Sequence, residues 1–85
     1  MVPWIVTRRE YQMLMHARTE ARRRGFLVGR RVVLRSDEQR RVGRIIGLNN
    51  GSPSGESPIY QPVMVRFPWW SEPIAWSLDA LALVD

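Results

Sequence analysis

The sequence predicts a mainly β domain carrying one N-terminal α-helix. Three observations point there. Five short apolar or alternating runs lie between residues 30 and 84, separated by segments rich in Gly, Pro, Ser, Asn and Asp. One helix-start signal, Thr7-Arg8-Arg9-Glu10, opens a stretch that meets no glycine or proline before Gly25. The chain of 85 residues has no cysteine, so a single small domain must hold together by packing alone.

In chain order, Val2 to Val6 is a short apolar run containing Pro3 and Trp4, an edge strand or an arm that lays Trp4 onto the body. Thr7 and Glu10 fit a capping box, with the Thr7 hydroxyl accepting from the Glu10 amide and the Glu10 side chain accepting from the Thr7 amide. Val6 and Tyr11 occupy the hydrophobic-staple positions. The helix is expected from about residue 8 to 24, with Gly25 as its stop. One sector carries Tyr11, Leu14, Met15, Arg18 and Arg22, flanked by Ala17 and Ala21. It is apolar first and cationic later, so the first two turns are expected to dock and the last two to overhang. Glu20 and Arg24 are spaced to pair.

Phe26 to Gly29 connects to a first strand at 30–35 (RRVVLR). A polar excursion, 36–41, precedes a second strand at 42–48 (VGRIIGL), whose Gly43 and Gly47 point to bends or a bulge. Residues 49–58 (NNGSPSGESP) read as a low-complexity loop unable to build a core. Ile59-Tyr60 is a candidate for brief pairing. Val63, Val65 and Phe67 alternate with Met64 and Arg66 in a third strand. Pro68 and Pro73 bracket a turn holding Trp69 and Trp70, Ile74 to Trp76 returns as a fourth strand, Ser77 caps one helical turn, and Leu81 to Val84 closes the sheet. The division is 1–28, an arm and Arg-rich helix, and 29–85, a small β domain.

All 13 basic residues are arginine, and the net charge is +5 at pH 7. GC-rich coding produces such a preference without any binding role, yet arginine is also the better bidentate partner for phosphate or carboxylate. Residues 1–44 hold every arginine except Arg66, against Glu10, Glu20, Asp37 and Glu38, while residues 45–85 are net acidic. That asymmetry points to an anionic partner at the N-terminal half, or to copies meeting head to tail. No apolar run approaches the length of a membrane span, and the first ten residues lack signal-peptide order. A cytoplasmic protein is expected, or a virion-associated one if phage-encoded.

Val42-Gly43-Arg44-Ile45, the strand Val63-Met64-Val65-Arg66-Phe67, and the closing Trp76, Ser77 to Leu81 and Val84 together resemble the Src-homology-3-like small β-barrels, in particular the Tudor and KOW-type modules. The resemblance covers residues 29 onward and implies a five-stranded barrel of the kind that binds RNA, DNA, peptides or polymerase and ribosome surfaces. The layout also resembles the type II dihydrofolate reductases. In place of that family's V-Q-I-Y run stands Pro73-Ile74-Ala75-Trp76, without the glutamine, so the reductase activity does not carry over.

Catalytic chemistry has little support. His16 is the single histidine, on the helix flank away from Tyr11 and Leu14, and no nucleophile–base pair or phosphate loop is visible. No enzyme activity, cofactor, metal, membrane or small-molecule substrate is expected. The candidate site is basic: Arg18, Arg22, Arg23, Arg24, Arg30 and Arg31, extended by Arg40, Arg41 and Arg44, for nucleic-acid backbone (RNA or DNA) or an acidic protein surface. Trp69 and Trp70 are candidates for stacking or a protein interface, with barrel packing as their structural alternative. The expectation is a nucleic-acid-binding module; the alternative is an assembly adaptor, such as a phage connector or a polymerase- or ribosome-bound factor, possibly homo-oligomeric.

Overall fold

The computed structural model describes residues 7–51 and 57–84. The arm with Trp4, the Val6 half of the staple and loop residues 52–56 lie outside them. Helix α1 (Arg8–Arg23) is followed by β1 (Arg31–Leu34), β2 (Val42–Leu48), β3 (Val63–Arg66), β4 (Ile74–Trp76), a 3-10 turn (Leu78–Ala80) and β5 (Leu81–Val84). The strands form one antiparallel sheet in the order β4-β3-β2-β1-β5, so β5 returns to pair with β1. The sheet is open, with β4 and β5 as its edges, and strand pairing does not close it into a barrel. The physical reason lies in β4, which spans three residues and passes through Ser77 into the 3-10 turn without length left to pair with β5.

Alternation sends one side of each strand inward. Val32, Leu34, Ile45, Val63, Val65, Phe67 and Leu81 form the core with Ala21 and Phe26. Trp69, Trp70, Trp76, Leu78 and Leu83 pack on it, half-buried. The β2–β3 register runs Ile45 opposite Val65, then Gly47 opposite Met64, so Ile46 is the extra residue of a bulge. Gly43 serves a different purpose from the bend expected of it. A Cβ there would stand 2.6 Å from two atoms of the Phe67 ring, so the glycine lets the ring lie against the strand.

The capping box forms as the sequence implies: the Glu10 amide donates to the Thr7 hydroxyl at 3.1 Å, and the Thr7 amide to Glu10 Oε1 at 3.2 Å. The docking face differs from expectation. Leu14 and Ala21 are buried, whereas Tyr11 and Met15 are 54% and 41% exposed. The helix is therefore seated along its length and its last turns do not overhang. Gly25, at φ +85°, reverses the chain and delivers Phe26 into the core, with the Phe26 amide donating to Ala21 O at 2.9 Å. That connector pins the C-terminal end of α1 to the body.

Three smaller expectations also change. Ile59 and Tyr60 form a turn, not a strand. The Ser77 side chain makes no cap hydrogen bond. The loop after β2 begins with a core anchor, since Asn49 is 1% exposed, its Nδ2 donates to Gln61 O at 3.0 Å, and its Oδ1 accepts from the Gly51 amide at 2.9 Å.

Candidate nucleic-acid interface

The period of two that buries Val32, Ile45 and Val65 exposes Arg31, Arg44 and Arg66 on the other side of the sheet, although Val33 on that side is itself buried. Arg31 on β1 stands directly opposite Arg44 on β2, and Arg44 directly opposite Arg66 on β3. Directly opposed residues share a face, so three exposed arginines form a row across three adjacent strands. Strands lie about 4.8 Å apart, which makes the row roughly 10 Å long. No acidic side chain lies within ion-pair distance of Arg44 or Arg66 among the described residues. The Arg44 Nη1 donates to Gly29 O at 3.2 Å. Like charges directly opposed are destabilising, so the Arg44–Arg66 pairing works against the sheet and concentrates positive potential on this face.

The row runs through a shallow groove of about 450 Å3. Val42, Ile46 and Pro68 line it together with Gly43 and the three arginines. Val42 and Ile46 are 38% and 44% exposed. Guanidinium groups and aliphatic surface thus alternate on one sheet face.

Comparison with known proteins returns no matching family model, no similar curated protein and no similar solved structure.

The arginines singled out in the sequence fall into three settings. Arg31 and Arg44 belong to the row. Arg40 and Arg41 lie in the β1–β2 loop, where Asp37 accepts from the Gln39 amide, the Arg41 amide and Arg41 Nε, each at 3.1 Å. Partial burial works against the Asp37 charge, but these hydrogen bonds, the Arg41 side chain foremost, hold its carboxyl below the usual range. Arg40 takes a left-handed backbone at φ +54° to make that turn. The arginines of α1 are held differently. Glu20 binds both Arg23 and Arg24, and the side-chain hydrogen bonds from Arg23 and then Arg24 lower its pKa from 4.5 to about 2. Arg24 Nη1 also lies 3.4 Å from Asp79 Oδ1, and Arg18 Nη2 donates to Asn50 Oδ1 at 2.7 Å. Arg22 is exposed and Arg30 half-buried beside Gly25.

Arg66 escaped the sequence reading because it stands alone in the acidic half, and only the β2–β3 register places it beside Arg44. Trp69 and Trp70 join a ring cluster. Phe67 lies 4.6 Å from Trp69 and 5.4 Å from Trp70 between ring centroids, and Trp70 stacks on Trp76 at 5.7 Å. Both indoles keep part of their surface in solvent. A second cleft, of about 570 Å3, lies between α1, the Ile59–Pro62 segment and the 3-10 turn. Met13, Ala17, Ile59, Tyr60, Pro62 and Leu78 line it, with Arg9 and His16 also at its wall.

Proposed function

We propose that this protein is a non-enzymatic module that binds nucleic-acid backbone. The Arg31–Arg44–Arg66 row carries this reading. Like charges aligned across one sheet face repel one another, and a line of phosphates turns that repulsion into attraction. The net charge of +5 and the placing of every arginine but Arg66 in residues 1–44 support an anionic partner in the same direction. The strand order, with β5 beside β1, supports reading the β domain as an open form of the Src-homology-3-like small barrel. Contacts of this kind give affinity without sequence readout.

A salt titration tests the proposal. Log affinity should fall linearly with log salt, by about 0.9 per phosphate contact on duplex and about 0.7 on a single strand. Arg44→Ala and Arg66→Ala should each weaken binding and make the slope shallower by about one contact. Absence of binding at low salt, or affinity indifferent to salt, overturns the reading.

The alternative is an assembly or adaptor subunit. The cleft beside α1 favours it, because its apolar wall has the size and character to accept a partner's side chains. Sizing the protein at two concentrations separates the readings: a discrete oligomer that binds no nucleic acid supports assembly.

A further inference from the structure

We propose that the arginine face takes an unpaired strand rather than a duplex, an inference that rests on reading the row as a phosphate-binding site. The observation behind it is the aliphatic surface interleaved with the charges. On β2, Val42, Arg44 and Ile46 follow one another on the outer face, and Arg44 alone is polar. Ile46 is the bulged residue, and a bulge re-aims the side chain it carries. Pro68 adds a third apolar wall just beyond Arg66.

A duplex shows a protein mainly phosphate and sugar, with its base faces stacked inside, and it has nothing to lay on such walls. An unpaired strand presents both charged phosphates and apolar base faces. The groove, at about 450 Å3, lies within the range of small-ligand sites and has room for a splayed base. Bases lie against Val42, Ile46 and Pro68 while Arg31, Arg44 and Arg66 follow the phosphates. The base contacts are aliphatic, so they discriminate strandedness without reading sequence.

The test compares a short labelled oligothymidylate with a duplex of matched length at one salt concentration, by fluorescence anisotropy on the full chain. The single strand should bind about tenfold or more tightly, a difference near 1.4 kcal/mol. Ile46→Ser should cut single-strand affinity roughly 3- to 10-fold while leaving duplex affinity and the salt slope unchanged, because it removes base contact and no charge. Val42→Thr, which keeps strand propensity, serves as a second variant should Ile46→Ser disturb the bulge. Duplex binding equal to or tighter than single-strand binding overturns this inference and leaves the proposed function standing, as does an Ile46→Ser loss shared equally by both ligands. Failure of both ligands to bind overturns the proposed function itself, and this inference with it.

Discussion

The Arg41 guanidinium lies 4.1 Å from the centroid of the Trp69 ring, while its Nε donates to Asp37. Trp69 is thereby held between Phe67 and a cation, and the 36–41 loop is fastened to the turn after β3. Trp69→Ala is expected to cost about 2 kcal/mol, below the value for a fully buried indole because part of the ring is already in water. Arg41→Ala is expected to cost about 1 kcal/mol. Urea denaturation of both single variants and the double variant should show coupling of about 0.5–1 kcal/mol. Strict additivity would mean that the cation contributes nothing through the ring.

Acid should weaken the fold through Glu20. Its folded pKa of about 2 lies below its ordinary 4.5, held there by Arg23 and Arg24. A lowered folded pKa means that the unfolded chain binds the proton more readily, so the stabilisation is complete above about pH 5 and is lost as pH falls toward 2. Asp37 shifts in the same direction and adds to the loss. Glu20→Gln should be less stable than the parent at pH 7 and should show a flatter decline through that window. Urea midpoints at neutral and acid pH measure it; parallel curves for parent and variant would remove Glu20 from the acid response.

The two glycines of β2 should respond in opposite ways. Gly43→Ala places a Cβ 2.6 Å from the Phe67 ring and 3.0 Å from Arg66 O, an overpacking expected to cost about 1–3 kcal/mol. Gly47→Ala meets nothing within 4 Å and is expected to fall within about 0.5 kcal/mol of the parent. Midpoints of denaturation decide between this account and one in which both glycines serve as bends, for which the two costs would be similar.

Local signals in this chain were legible and pairing signals were not. The capping box, the Gly25 stop and strands β2, β4 and β5 follow from residue type and spacing, which a sequence displays directly. The docked side of α1 was misread because Tyr11 and Met15 look like anchors, whereas the tether at Gly25–Phe26 turns Leu14 and Ala21 to the core. Asn49 looked like loop filler, since its worth depends on meeting Gln61 and Gly51 in three dimensions. The arginine row is the clearest case. Alternation alone puts Arg31, Arg44 and Arg66 on outward faces, but their alignment depends on register, and the bulge at Ile46 shifts that register.

Arg66→Thr should separate the cost of the row from its use. Arg66 sits opposite Arg44, which in turn faces Arg31, so removing the end charge relieves one like-charge pair without exposing core. Thr also has the higher strand propensity. The variant should be more stable than the parent by a few tenths to about 1 kcal/mol at low salt. The gain should shrink in 1 M salt, where the screening length falls to about 3 Å. Its affinity for nucleic acid should fall in the same samples. A gain in stability coupled to a loss of binding is the mark of charges held together for a partner's sake. Stability that drops at low salt would mean the guanidinium of Arg66 supports the sheet by packing, and the row would lose its standing as a site poised against the fold.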